Sequence, residues 1–251
     1  MEKKHENILN LFGLIGKNIS YSFSQGYFNK KFENSGLQSY LYTNFDLPAI
    51  EAFQEVIANT LNLKGLNVTI PYKEAIIPYL NELDSDAAAI GAVNTIKIEE
   101  NGLKGFNTDH HGFRESIHPF LKEHHKKALI LGTGGASKAI AFVFDRLGID
   151  YAFVSRKKAR NQFTYNDLNQ DLISSYPVIV NCTPLGTFPD IENKPSIPYE
   201  FITSGHLLYD LIYNPEETSF LKLGRERGAQ TLNGLQMLEL QAEKAWEIWN
   251  S

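Results

Sequence analysis

Short apolar runs alternate with segments whose apolar residues recur at helical spacing along nearly the whole chain. This pattern predicts an α/β architecture with mainly parallel strands. In the first part, strands are expected over Leu11–Gly16, Tyr40–Phe45, Gly65–Ile70 and Ala92–Ile98, and helices over Ser24–Asn34, Pro48–Asn59 and Lys73–Asn81. Glu100-Asn101-Gly102 predicts a hairpin turn, because Asn-Gly tolerates positive φ at little cost. A second series of strands is expected over Ala128–Gly132, Tyr151–Ser155, Val178–Asn181 and Leu207–Leu211. Phe188–Pro198 carries three prolines and polar residues, the composition of a loop. Gly234–Trp249 reads as one amphipathic helix with Leu235, Leu238, Ala242, Ala245 and Trp249 on one face. The hairpin ends and a helix begins near Asp109. The expected division is therefore an N-terminal α/β domain over residues 1–108, completed by the C-terminal helix 234–251, and a second domain over 109–233.

Composition narrows the function classes. A chain of 251 residues, 43% hydrophobic and 21% charged, accommodates one large domain or two modest ones. The net charge of −5 offers no basic field, so nucleic acid and membrane surfaces are not expected partners. Cys182 is the only cysteine, which excludes an intrachain disulfide and fits a reducing compartment. Met1–Asn10 lacks the apolar core of a secretory signal, and no apolar run reaches the roughly 20 residues of a membrane span. The expectation is a cytoplasmic protein. Glycosylation-like triplets at Asn18, Asn67 and Asn181 are read as chance matches.

The first motif with chemistry lies at the start of the second series. The apolar strand Ala128–Gly132 runs into Thr133-Gly134-Gly135-Ala136-Ser137, then into a helix with Ala136, Ala139, Ile140, Val143, Phe144 and Leu147 at helical spacing. Glycines at such a turn let backbone approach a pyrophosphate, and the helix start supplies N–H groups and positive partial charge. A tight turn with no ligand is the plain alternative. The next strand ends in Ser155-Arg156-Lys157-Lys158-Ala159-Arg160 with no carboxylate. An acidic residue here would hold the ribose 2′-hydroxyl of NAD. Arg156 and Arg160 instead suit a 2′-phosphate in charge-assisted hydrogen bonds, and Arg156 can stack on adenine. The second domain is thus expected to be Rossmann-type and to bind NADP(H), through Gly132, Thr133, Gly134, Gly135, Ala136, Ser155, Arg156, Lys157 and Arg160.

In the first half, polar residues sit where strands end. Ser20, Ser22 and Ser24 alternate after the first strand, Thr69 and Lys73 flank Pro71, and Asn94 follows Gly91. Asn107-Thr108-Asp109 closes the hairpin region. Ligands of open α/β sheets collect beyond the carboxyl ends of strands. Each residue has a plainer reading: Lys73 as a solvated cation, Asp109 as a helix cap, Asn94 as a turn tie, the serines as exposed loop.

Taken in order, the motifs Ser-x-Ser, Asn67-Val-Thr-Ile-Pro-Tyr-Lys73, Gly91-Ala-Val-Asn-Thr95, Asn107-Thr-Asp109, Gly132-x-Gly-Gly-Ala-Ser137 and Leu240-Gln-Ala242 resemble the shikimate dehydrogenase family, from about Leu11 to Trp249. That family reduces 3-dehydroshikimate to shikimate with NADPH, on the route to chorismate and the aromatic amino acids. The resemblance implies that Ser22 and Ser24 hold the substrate carboxylate and that Lys73 and Asp109 form the catalytic pair. It further implies that Thr69, Asn94 and Gln241 contact the ring hydroxyls, with Tyr213 at the carboxylate end. Thr183, Gly234 and Met237 would line the nicotinamide site. Hydride transfer to a ketone builds negative charge on oxygen, so a proton donor within about 3 Å is needed, and a lysine beside a carboxylate supplies one.

Two positions depart from the family pattern: Gln25 stands where proline is common, and Gln236 replaces a glycine in Asn233-Gly234-Leu235-Gln236-Met237. Rival readings are a broader quinate/shikimate dehydrogenase and a non-catalytic NADP-binding sensor of the same fold, the latter disfavoured by retention of Lys73 and Asp109. No metal is expected, since His110-His111 and His124-His125 are adjacent pairs whose side chains diverge along a helix. A small-molecule substrate is the expected partner, on a monomer or homodimer.

Overall fold

The computed structural model describes residues 10–19, 22–159 and 162–251. The chain divides into two compact units, Met1–Thr108 with Ala242–Ser251, and Asp109–Gln241.

In the first unit the elements are β1 (Asn10–Gly16), α1 (Phe23–Asn34), β2 (Tyr40–Asp46), α2 (Phe53–Asn59), β3 (Leu63–Val68), β4 (Glu82–Leu83), α3 (Ser85–Ile90), β5 (Thr95–Glu99) and β6 (Gly102–Phe106). The sheet order is β2-β1-β3-β5-β6-β4. β1 pairs parallel with β2 and β3, while β5 runs antiparallel to β3 and β6. The two faces carry separate cores. Ile15, Leu66, Val68 and Ile96 pack with Phe53 and Ala87. Phe12, Leu14 and Tyr42 pack with Phe28, Phe32, Ala242, Ala245 and Trp249. A large apolar side chain, fully buried, contributes about 1.5–3 kcal/mol. The Trp249 indole N–H also donates to the Ile96 carbonyl at 3.0 Å.

The second unit comprises α4 (Asp109–Ile117), β7 (Lys127–Leu131), α5 (Gly135–Leu147), β8 (Asp150–Ser155), β9 (Gln162–Thr164), α6 (Gln170–Ser175), β10 (Val178–Asn181), β11 (Leu207–Asp210), α7 (Ser219–Glu226), β12 (Gln230–Leu232) and the start of α8 (Leu235–Trp249). Its strands are all parallel, in the order β12-β11-β10-β7-β8-β9. Alternate strand residues feed opposite faces. Ile130 and Val180 meet Phe113, Ile140 and Phe144, whereas Leu129, Leu131 and Ile179 meet Ile173 and Phe220. Helices therefore cover both faces, which is why these strands read as continuous apolar runs.

Five expectations are corrected. Lys73–Asn81 is not an α-helix but a series of turns ending in a short 3-10 helix, Ile77–Tyr79. Pro78 there lacks an N–H and its ring would clash in an α-helix interior. The last strand of the first part begins at Thr95 rather than Ala92, because Gly91–Asn94 is needed as a turn after α3. On α8 the buried stripe is Met237, Gln241, Ala242, Ala245 and Trp249, while Leu235 is 38% exposed. The helix is also shared, since Met237 lies in the second unit's core with Phe113. The chain consequently returns to the first unit at Ala242, not Gly234. Finally, His124 and His125 are not on a helix and do not diverge. Their rings lie 4.3 Å apart, and buried His125 accepts from the Lys122 N–H. No group of three or more potential ligands gathers among the described residues. None of their helices is long and apolar enough to cross a membrane.

The hairpin pairs Glu99 with Gly102 across Glu100-Asn101, with positive φ falling on Gly102 alone. Of the glycosylation-like triplets, Asn67 and Asn181 are buried side chains, inaccessible to modification.

Candidate active site

In the second unit, β7 lies between β8 and β10, and the chain winds outward from it in both directions. This is a topological switch point, where parallel α/β sheets bind ligands beyond the carboxyl ends of their strands. The glycine turn sits there. Gly132 takes φ +105°, and a Cβ would come within 3.2 Å of Thr183 and 3.3 Å of the Cys182 carbonyl. Gly134 is different. It precedes α5 in ordinary extended backbone, no side chain caps the helix, and a Cβ would meet nothing within 4 Å. The fold itself makes no demand for glycine at 134. The open space and the uncapped N–H groups of the first turn suit a bound pyrophosphate. Thr133 is exposed and Ala136 partly so. The Ser137 hydroxyl turns inward, donating to the Gly134 carbonyl at 2.5 Å.

At the end of β8 the Ser155 hydroxyl donates to the Lys157 carbonyl at 2.5 Å, shaping the basic segment. Arg156 and Lys157 are exposed, and neither forms an ion pair with a described residue. Both remain available to a phosphate. Arg160 lies outside the described residues.

Beyond β10 and β11 a polar cluster is buried. The Thr183 N–H and hydroxyl both donate to Asn181 Oδ1, at 3.0 and 2.7 Å. Asn181 Nδ2 donates to Asp210 at 3.0 Å. Burial pushes the Asp210 carboxyl up to about 6, opposed by hydrogen bonds from Thr218, the Ile212 N–H and Asn181. Tyr213 is half-buried just after β11. Gly234 is buried so tightly that a Cβ would meet the Leu211 carbonyl oxygen. Met237 and Gln241 line one side of α8, where Gly112 of α4 comes close to the Met237 carbonyl and Gln241. The Gln241 amide donates to the Leu238 carbonyl at 3.0 Å. Asp109 is 6% exposed in the first turn of α4, where a carboxylate is favoured by the helix dipole.

In the first unit, residues 67–73, 91–95 and 107–108 converge. The Lys73 carbonyl accepts from the Val93 N–H at 2.7 Å, which pins the lysine's turn beside Asn94. The Tyr72 N–H closes a turn on the Thr69 carbonyl at 2.9 Å. Asn94 is 3% exposed; its Oδ1 accepts from the Thr108 N–H at 2.6 Å and its Nδ2 donates to the Thr108 hydroxyl at 2.9 Å. Asn67 Nδ2 donates to the Thr95 hydroxyl at 3.2 Å and to the Asn94 carbonyl at 3.3 Å. Its Oδ1 accepts from the Tyr42 hydroxyl at 2.8 Å.

Ser22 precedes α1 and Ser24 lies in its first turn. Ser24 hydrogen-bonds to Tyr42, a phenol whose burial raises its pKa. Ser20 lies outside the described residues. The departure at Gln25 has a use: its side-chain oxygen accepts from Asn44 at 3.1 Å. Gln236 is exposed on α8.

Thr69, Lys73 and Asn94 thus lie on neighbouring segments of the first unit, with Asn94 bonded to Thr108, while the glycine turn, Arg156 and Thr183 gather at the switch point of the second. Sequence reasoning overlooked Tyr42 and Asp210, and took Asn67, Thr108 and Asn181 only as members of motifs or triplets. A carboxylate closing the apolar run Leu207–Tyr209 was a readable signal for Asp210. Tyr42 gave none, because a tyrosine in a strand is ordinary.

Comparison with known proteins gives a consistent picture. A family described as the shikimate dehydrogenase substrate binding domain matches residues 14–96. A shikimate dehydrogenase (NADP(+)) of Methanococcus aeolicus is 37% identical, covering 95% of this chain and 91% of its own. The crystal structure of shikimate dehydrogenase from Aquifex aeolicus is 35% identical with TM-score 0.84, covering 96% and 92% of the two chains. The Thermus thermophilus shikimate 5-dehydrogenase, solved with NADP(H) and shikimate, is 29% identical with TM-score 0.83, covering 96% and 93%.

Proposed function

This chain belongs to the shikimate dehydrogenase family, and from that premise we propose that it catalyses the reversible, NADPH-dependent reduction of 3-dehydroshikimate to shikimate, the step that leads toward chorismate. The observation that carries the reading is the open N-cap at Gly134 followed, one strand later, by Arg156 and Lys157 without a carboxylate. The first suits a pyrophosphate and the second a 2′-phosphate.

When bound, NADPH supplies the hydride to the ring ketone. The chain's own residues bind, orient and handle the proton. As negative charge builds on the ketone oxygen, Lys73 hydrogen-bonds it and passes it a proton, with Asp109 as its partner. Asn94, Thr69 and Gln241 orient the ring through its hydroxyls, and Ser22, Ser24 and Tyr213 receive the carboxylate. The Ser24 hydroxyl is bonded to Tyr42. A carboxylate is the stronger acceptor, so the serine hydroxyl turns to it on binding.

The test is a rate measurement following reduced-nicotinamide absorbance, pairing shikimate and quinate with NADP and NAD. Turnover with shikimate and NADP above the other three pairs is expected. A preference for quinate would favour the broader dehydrogenase, and no turnover with any pair would favour the sensor.

A further inference from the structure

At the carboxyl ends of β10 and β11, buried hydrogen bonds form a chain with a built-in direction. The fully buried Asp210 carboxylate accepts from the Thr218 hydroxyl at 2.6 Å, the Ile212 N–H at 3.0 Å and Asn181 Nδ2 at 3.0 Å. No lysine or arginine among the described residues pairs with it. An ionised carboxylate only accepts, so it holds the Asn181 amide with Nδ2 toward itself and Oδ1 turned away. On that far side Oδ1 receives both donors of Thr183. The Thr183 oxygen, its proton committed to Asn181, has only lone pairs left to offer, one of which the Leu185 N–H approaches at 3.3 Å.

The place matters. With a pyrophosphate on the glycine turn after β7 and the 2′-phosphate at Arg156 after β8, the other half of the dinucleotide extends across β10. Thr183 stands there, beside Gly132. We propose that Asp210 is a positioning residue for the nicotinamide end of the dinucleotide: its negative charge sets the orientation of the Asn181 amide, and the amide sets Thr183. The proposal rests on the reading of this chain as an NADPH enzyme.

Protonation reverses the arrangement. Burial lifts Asp210 to about 6, so its charge is lost within an accessible pH range. The titratable groups that feel it are the Cys182 thiol and the Tyr199 phenol, both pushed up by burial and neutral throughout. At one carboxyl oxygen the new proton meets the Thr218 hydroxyl, which already donates there and caps α7 through its oxygen. At the other it meets Asn181, whose amide can rotate half a turn to accept it. The rotated amide then points its own N–H groups at Thr183, and both Thr183 donors lose their acceptor. Affinity for the nicotinamide end therefore falls as pH drops through about 6.

The variant Asp210→Asn carries no charge at any pH and reproduces the protonated state. It is expected to weaken NADPH about tenfold at neutral pH, the equivalent of one lost hydrogen bond. It should also remove the part of the wild-type fall in NADPH affinity near pH 6 that adenosine 2′,5′-bisphosphate, whose 2′-phosphate titrates in the same range, does not share. Adenosine 2′,5′-bisphosphate, which lacks the nicotinamide, should bind variant and wild type equally, an outcome that general structural damage would not give. Unchanged NADPH binding with an unchanged pH profile would overturn the proposal, as would equal weakening of both ligands. If the variant does not fold, the cofactor-free wild type decides. Its Asn181 side-chain amide signals in NMR spectra should shift with a midpoint near pH 6, and signals unmoved across about pH 5–7 would refute the mechanism. Wild-type protein that binds no NADPH would overturn the functional reading instead, and the amide signals would still decide this one.

Discussion

The two units hold the polar groups of their proposed sites in opposite states. At the switch point of the second unit, the start of α5 has no side-chain cap, Gly134 opens onto space, and Arg156 and Lys157 are exposed cations. In the first unit, Ser24, Tyr42, Asn67, Thr95, Asn94 and Thr108 are already joined by hydrogen bonds. One site is made of local backbone and surface charge, the other of side chains from distant segments that hold one another. Damage to the first kind should cost binding alone. Damage to the second should cost stability as well.

Lys73→Ala gives the largest expected effect, because Lys73 is the proposed proton donor yet sits at the edge of the buried network. Turnover should fall by roughly 10²–10⁴-fold, the usual share of acid–base catalysis, with NADPH affinity unchanged in a binding titration. Near-normal turnover would remove Lys73 from the mechanism.

Asn67→Leu tests the cohesion of the first unit. It leaves the Tyr42 hydroxyl and the Asn94 carbonyl without their bonds to the amide in a buried setting. A loss of about 2–3 kcal/mol in urea unfolding is expected, together with weaker shikimate binding. A loss well under about 1 kcal/mol would show that these residues do not act as a unit.

Arg156→Ala addresses the other side of the contrast. It should weaken NADP by about tenfold and NAD far less, with unfolding unchanged, since one charge-assisted contact to phosphate is removed. Equal losses for both cofactors would defeat the 2′-phosphate assignment.

Gly134→Ala is the gentlest probe. No protein atom opposes the added methyl, so only the weaker N-cap preference of alanine counts and stability should fall by about 1 kcal/mol or less, while NADPH affinity falls measurably. A variant that binds NADPH normally would mean the pyrophosphate does not pass over this residue.

The contrast also explains what was legible in the sequence. The glycine turn and the basic strand end are contiguous in the chain, and their chemistry follows from local backbone and charge. The α/β alternation and the largely apolar strands β7, β10 and β11 follow from residue pattern alone, and the expectation of NADP rests on the same kind of signal. Short pieces such as β4, β9 and β12 carry no period to read. The Asp84 cap and the closing Gly91 do mark α3, a signal that apolar periodicity alone misses over six residues. At Lys73–Asn81 the same reliance on periodicity predicts a helix that Pro78 forbids.

The amino-acid sequence by itself determined the fold class and pointed to NADP(H), and its resemblance to a known family pointed to Lys73 and Asp109 as the candidate proton-handling pair. Only the tertiary structure decided which polar residues are bonded to one another. Tyr42 meets Asn67 and Asp210 meets Asn181 across the sheets, 25 and 29 residues apart in the chain. A buried amide turns toward whichever partner the folded sheet brings to it, and no local pattern encodes that partner.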